Sequence, residues 1–173
     1  PQKSTVPKIL IVGGGYAGFY TAWKLEKHLR KGEADVTMVD PLPYMTYQPF
    51  LPAVAAGSIE ARHSAVAHRR HLKRTHVLTA KVTGINHAEK VATITPPVGE
   101  PYEFEYDQIV VTAGAVSRTF PIPGVADNAI GLKTIEEAVA IRDRLITNFD
   151  RASLLPAGPE RDRLLSVTVV GGG

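Results

Sequence analysis

The sequence predicts an α/β fold of the Rossmann-like kind, a parallel sheet with an antiparallel β-meander inserted in it. Three observations carry this. The first forty residues spell strand, helix, strand, the pattern of a parallel βαβ unit. The turn between that strand and helix reads Gly13-Gly14-Gly15-Tyr16-Ala17-Gly18. The chain then closes on "VTVVGGG" (167–173), which repeats the apolar run and triple glycine of "ILIVGGG" (9–15), so a second unit of the same kind is expected to open there.

Composition fits this class. The 173 residues are 44% hydrophobic and mix both charge signs, as soluble globular domains do. A net charge of +3 is too small to argue for a nucleic-acid partner. There is no cysteine, so these residues hold no disulfide, thiolate metal site or thiol nucleophile. No apolar run reaches the ~18 residues of a membrane-spanning helix. The start "PQKSTVPK" lacks the apolar core of a signal peptide, and a chain opening at Pro1 without Met reads as trimmed or locally numbered.

Along the chain, Lys8–Val12 is apolar and β-branched, a buried parallel strand. A helix is expected from Tyr16 to Lys31, with Gly18, Ala22, Leu25 and Leu29 on one face and Gly32 as the stop. "DVTMV" (35–39) is a second buried strand, ending at Asp40. Residues 41–57 carry four prolines, several aromatics and almost no charge. This reads as an irregular apolar loop that is buried or lines a pocket. Residues 64–74 read as a short basic helix. Four short β-like runs follow, at 76–80, 82–86, 91–95 and 102–105, and together they suggest the meander. "QIVVT" (108–112) is another buried strand, and "PIPG" (121–124) a rigid linker. Thr134 with Glu137 three residues on is a capping box, opening a helix to about Phe149. A loose hinge (152–159), a helical turn (161–165) and a strand (167–170) complete the reading.

The glycine turn is the motif with chemistry in it. In G-x-G-x-x-G the first glycine permits a sharp turn, the second lets a pyrophosphate approach the backbone, and the third lets the helix pack on the sheet. The phosphates then lie at the positive N-terminus of the helix. Asp40, at the end of the next strand and about 20 residues beyond Gly18, suits a hydrogen bond to a ribose hydroxyl. The competing reading is a tight turn with no ligand.

With these residues in view, the chain resembles the N-terminal part of type II NADH dehydrogenases, FAD enzymes built from two dinucleotide-binding domains. The resemblance rests on "ILIVGGGYAGFYTAWKLEK", "VDPLPYMTYQPFLPAVAAGSIE", "YDQIVVTAGA", "IPGV" and "VTVVGGG" in that order, and looks closest to actinobacterial members. It implies that the cofactor is FAD, held by Gly13, Gly14, Gly15, Tyr16, Ala17 and Gly18. It implies Asp40 and Pro41 at the adenosine ribose, and Lys81 and Val82 by the adenine. Thr112, Ala113 and Gly114 would pass close to the cofactor. Thr46, Tyr47, Gln48 and Pro49 would lie near the isoalloxazine ring, where an uncharged aromatic wall would keep water away. Gly171 and Gly173 would open the loop of an NADH or NADPH unit.

The organisation that follows is an FAD-binding part over 1–124, a linker with a long helix over 125–165, and the first strand and turn of a nucleotide unit over 166–173. The implied activity is hydride transfer from NADH to FAD, with electrons passed on to a quinone. The implied setting is the cytoplasmic face of a bacterial inner membrane, reached through segments beyond this chain, with a homodimer as a further expectation. This chain is then a piece of a longer polypeptide and inactive alone. A ferredoxin-reductase-like or apoptosis-inducing-factor-like flavoprotein, or a non-enzymatic nucleotide-binding scaffold, are the alternatives. Disulfide reductases are disfavoured by the missing cysteines.

Two other features admit more than one reading. His68 and His71 have the spacing of a metal pair. Cations surround them and no carboxylate lies between, so a solvated helix face is the expectation, with a contact to anionic lipid or a partner as the minor reading. Tyr16 and Tyr20, one turn apart, read as packing groups rather than catalytic acids.

Overall fold

A computed structural model describes residues 6–119 and 121–171. They form two compact units. One comprises the residues up to Thr46 together with Val66–Ala115, the other Tyr47–Ala65 together with the residues from Val116 on.

The first unit is built around a four-stranded parallel sheet in the order β5-β2-β1-β9. Its strands are β1 (Lys8–Val12), β2 (Asp35–Asp40), β5 (His76–Thr79) and β9 (Gln108–Val111). Alternation along the strands separates two cores. Ile9, Ile11, Val36, Met38 and Val110 pack with Phe19, Ala22 and Trp23 of helix α1 (Tyr16–His28). Leu10, Val12, Val39, Leu78 and Ile109 pack with Ala92, Ile94, Val82 and Phe104 of the meander. The meander is an antiparallel sheet of β6 (Lys81–Asn86), β7 (Val91–Thr95) and β8 (Tyr102–Glu105). The unit is therefore helix on sheet on sheet. Both faces of the parallel strands are covered, which is why those strands read as continuous apolar runs.

The registers place the site. Val12 pairs with Val39 on one side and with Val111 on the other. The next residues, Gly13, Asp40 and Thr112, therefore leave the sheet side by side. The strand order also reverses at this point, since β2 lies on one side of β1 and β9 on the other. In open α/β sheets the crevice at such a reversal is where ligands bind.

In the second unit, α5 (Ile135–Ser153) packs Ala138, Ile135, Val139 and Ile141 against Leu51, Val54 and Ala55 of α2 (Leu51–Ala55). The capping box is present. The Thr134 hydroxyl accepts from the Glu137 N–H at 3.1 Å, and the Glu137 carboxylate accepts from the Thr134 N–H at 3.0 Å. Short α4 (Val125–Asn128) precedes α5 and α6 (Pro159–Leu165) follows it.

Several expected elements come out differently. Helix α1 ends at His28 rather than Lys31. Residues 76–79 are not part of the meander; they add a fourth parallel strand beside β2. Residues 41–57 are not wholly irregular. They contain β3 (Tyr44–Thr46), a 3-10 turn at Gln48–Phe50 and α2. Pro49 and Pro52 sit in the first positions of those helical turns, where a missing N–H costs nothing. The basic helix at 64–74 shrinks to α3 (His68–His71), preceded by β4 (Ala65–Ala67) and a 3-10 turn at Ala61–Ser64. Residues 152 and 153, expected in a hinge, finish α5. Residues 167–170 form no strand, and Val167, Val169 and Val170 are exposed. A strand is held by its ladder, and no described residue pairs with these.

Candidate dinucleotide-binding site

The glycine loop is held from four directions. The Gly13 N–H donates to the Val39 carbonyl at 2.8 Å. Gly13 has φ +97°, and a side chain there would run into the Thr112 carbonyl oxygen. The Thr112 hydroxyl is shared between the carbonyls of Val12 (2.9 Å) and Gly13 (3.0 Å). The Gly14 N–H donates to Asp40 Oδ2 at 2.6 Å, and the Leu42 N–H donates to Asp40 Oδ1 at 2.7 Å. The Gly14 carbonyl lies 2.8 Å from Nε2 of His68. Gly18 presses its α-carbon on the Gly13 carbonyl and the Thr112 hydroxyl, so that no β-carbon fits between them.

Gly15 is the exception. It is exposed, and a β-carbon on it would meet no atom within 4 Å. It is also the N-cap of α1. No side chain caps that end of the helix, and its first turn carries no acidic residue. The first-turn N–H groups have no partner within the helix itself, and the positive end of its dipole lies beside the open space at Gly15.

Of the other expected site residues, Pro41, Lys81, Val82, Ala113 and Gly114 follow the strands that end at this sheet edge. Pro41 follows Asp40 and is exposed. The Ala80 N–H donates to the Asp40 carbonyl at 3.0 Å, which brings Lys81 and Val82 alongside; Lys81 is exposed and Val82 half-buried. Ala113 and Gly114 follow Thr112 and are exposed, with Gly114 at φ +72°. Tyr16 and Ala17 are exposed in the first turn of α1. Tyr16 stacks on Tyr20 at 6.4 Å between ring centroids, a packing contact. Thr46 closes β3. Tyr47, Gln48 and Pro49 belong to the second unit, where the Tyr47 ring meets Phe50 edge-on at 4.7 Å. Gly171, with φ +102°, is also in the second unit, and Gly173 lies outside the described residues.

The expectation of a solvated histidine face is corrected at His68, which is fully buried. Its ring lies near-parallel to Phe19 at 6.2 Å. The charged residues around it are used structurally. Arg69 donates to the Val77 carbonyl, and Arg74 to the carbonyls of Glu26 and Leu29 at the C-terminal end of α1, where a cation is favoured. No group of three or more His, Asp or Glu among the described residues could hold a metal. The sequence reads His68 as solvated because a histidine inside a run of arginines carries no sign of burial. The signal that could have found it is Gly14. A third consecutive glycine exceeds what G-x-G-x-x-G asks for, and a β-carbon there would lie 2.5 Å from the His68 ring.

A cavity of about 310 Å³ between Lys8, Asp35, Thr37, His76, Leu78 and Phe104 lies toward the opposite ends of the strands, away from the loop.

This glycine turn at a strand reversal is matched by a family model. The model described as pyridine nucleotide-disulphide oxidoreductase matches residues 7–173. The chain belongs to this family. Its relatives include an external alternative NAD(P)H-ubiquinone oxidoreductase B2 of Arabidopsis thaliana mitochondria, 35% identical over 96% of this chain and 30% of the relative. The type II NADH:quinone oxidoreductase Ndh of Mycobacterium tuberculosis is 30% identical over 96% of this chain and 35% of its own length. The resemblance thus reaches beyond actinobacteria. Among solved structures, NDH2 of Plasmodium falciparum in complex with NADH superposes with a TM-score of 0.76 at 25% identity, over 86% of this chain and 30% of that one. The chain spans about a third of the length of the relatives it matches. Although the family is named for disulphide chemistry, this chain has no cysteine to carry it.

Proposed function

We propose that this chain supplies the FAD-binding part of a type II NADH:quinone oxidoreductase. The observation that carries the reading is Gly15, an exposed glycine with free space at its β-position, standing at the uncapped N-terminus of α1 and next in the chain to Gly14, whose N–H Asp40 accepts. A pyrophosphate fits there by size and by charge. Asp40 keeps lone pairs on both oxygens beyond the two N–H groups it accepts, so it can hold the loop and accept from a ribose hydroxyl together. Lys81 and Val82 would flank the adenine, and Thr112 to Gly114 the chain of the cofactor beyond the phosphates. Tyr47, Gln48 and Pro49 would face the ring system. Gly171 and Gly173 would start the unit that binds NADH or NADPH.

Bound FAD supplies two-electron acceptance from a nicotinamide and release to a quinone. These residues bind and orient the cofactor. The relatives' printed names support the quinone as acceptor. No described helix is long and apolar enough to cross a membrane. Contact with a membrane surface, at the cytoplasmic face in a bacterial host, and a second copy of the chain are assigned to the whole polypeptide.

The test is to purify the full polypeptide that carries these residues, record its flavin absorption, and follow NADH oxidation with a soluble quinone. The expected result is one FAD per chain and quinone-dependent turnover. A colourless protein that takes up no added FAD overturns the cofactor. A yellow protein that reduces other acceptors but no quinone moves the reading to another flavoprotein class.

A further inference from the structure

His68 is the buried polar group that this reading leaves unused. Its side chain is fully inaccessible, yet it makes one hydrogen bond, from Nε2 to the Gly14 carbonyl. Nδ1 is buried without a partner. A carbonyl only accepts, so Nε2 must carry the proton and Nδ1 is a bare lone pair. An unsatisfied buried nitrogen is costly, and a leucine or phenylalanine would fill such a space without that cost. The one bond the ring makes is therefore the place to look for its use.

That bond sets the orientation of a peptide plane. No peptide bond among the described residues is cis, so the N–H of Gly15 points opposite to the carbonyl of Gly14. With the carbonyl drawn inward to His68, the Gly15 N–H is turned outward, into the open space at the N-terminus of α1. The other side of Gly14 is fixed by Asp40, which accepts its N–H. His68 is itself fixed, because its own N–H donates to the Pro43 carbonyl at 3.0 Å and Phe19 lies along its ring. Gly14 must be glycine for the ring to come this close.

We propose that His68 is a positioning residue for an anion site. By donating from Nε2 to the Gly14 carbonyl, it aims the Gly15 N–H at a bound pyrophosphate. The inference rests on the FAD reading above and deepens it. Burial pushes the imidazole below its ordinary value, against the opposing pull of the Gly14 carbonyl and of Asp40; Arg69 adds to the lowering. The neutral ring is the folded form. The folding stability tied to that form is complete above about pH 6.5, the usual histidine value, and is lost as pH falls through the lowered one, while the Nε2–H bond to Gly14 is available in either charge state.

The experiment uses the full polypeptide, stripped of cofactor, with FAD as the probe and flavin fluorescence as the readout, beside thermal unfolding. His68→Leu keeps the volume and removes the donor. His68→Gln places an amide N–H near the position of Nε2. Expected is an FAD affinity about tenfold weaker in H68L and within about twofold of wild type in H68Q. Equal FAD affinity in wild type and a folded H68L overturns the inference, since the ring then only packs. So does an equal loss in H68L and H68Q. Should H68L not fold, H68Q decides: a loss of FAD affinity of about tenfold in that variant, which keeps the donor, overturns the inference. No FAD binding by wild type instead sinks the cofactor reading itself.

Discussion

Gly15 and Gly18 stand three residues apart in one loop, and the same added methyl group should do opposite things at each. At Gly18 the methyl would enter the space held by the Gly13 carbonyl, backbone that cannot move without moving β1, and by the Thr112 hydroxyl. Gly18→Ala should cost about 1–3 kcal/mol of stability and lower the thermal midpoint. Gly15 has φ −70° and open space, so Gly15→Ala should cost less than about 1 kcal/mol while blocking the approach of the pyrophosphate. Thermal denaturation with an FAD titration on each variant separates them. A Gly15→Ala protein that binds FAD as wild type would remove the phosphate from this site. Glu26 provides a second residue-scale case. Its carboxylate accepts the N–H groups of Lys73, Arg74 and Thr75 and the Thr75 hydroxyl. Burial alone would raise its pKa, but these donors outweigh that and hold it below the ordinary 4.5. The stability it contributes is present above about pH 4.5 and fades as pH falls through the lowered value. Glu26→Gln should cost about 1–2 kcal/mol near neutral pH and flatten the acid limb, measured by urea denaturation across pH.

Helix α5 is the element whose start is best defined by local chemistry. Thr134→Ala removes the hydroxyl that caps Glu137 and should cost about 1 kcal/mol, with an unchanged denaturant slope. That cap was legible in the sequence because it lies within four residues. The same holds for β1, the glycine turn and β2, where apolar runs and glycines sit next to each other in the chain. What was not legible depends on distant partners. Residues 76–79 look like any short β-branched run, and only their pairing with β2 makes them a parallel strand rather than the first of the meander. Residues 167–170 have the pattern of a strand and no ladder among the described residues. Helix α2 was hidden by prolines that stand where a helical turn tolerates them. His68 was hidden by its neighbours, whose charges are spent on backbone carbonyls. Within the candidate site, the glycines, Asp40 and Thr112 were readable one by one. That they meet follows from a register, Val12 against Val39 and Val111, that no local pattern states.

At the scale of the whole molecule, a chain that matches its family over 7–173 and spans about a third of its relatives' length invites a division of labour. On the proposed reading, FAD is held by the first glycine loop and the nicotinamide by a loop that opens at Gly171. These two functions should separate cleanly under mutation of the full polypeptide. Gly171 has φ +102°, a conformation that an L side chain adopts only under strain of about 1–3 kcal/mol. Gly171→Ala should leave the FAD content and flavin spectrum as in wild type. It should weaken NADH, read as a rise of about tenfold in KM with quinone saturating. Gly15→Ala in the same polypeptide should do the converse and lose FAD first. The 173 residues alone, given FAD, NADH and quinone, should show no turnover, because only one of the two nucleotide loops is complete. NADH oxidation by the isolated chain would mean that the nicotinamide site lies within these residues, and would reassign Gly171 to an ordinary turn.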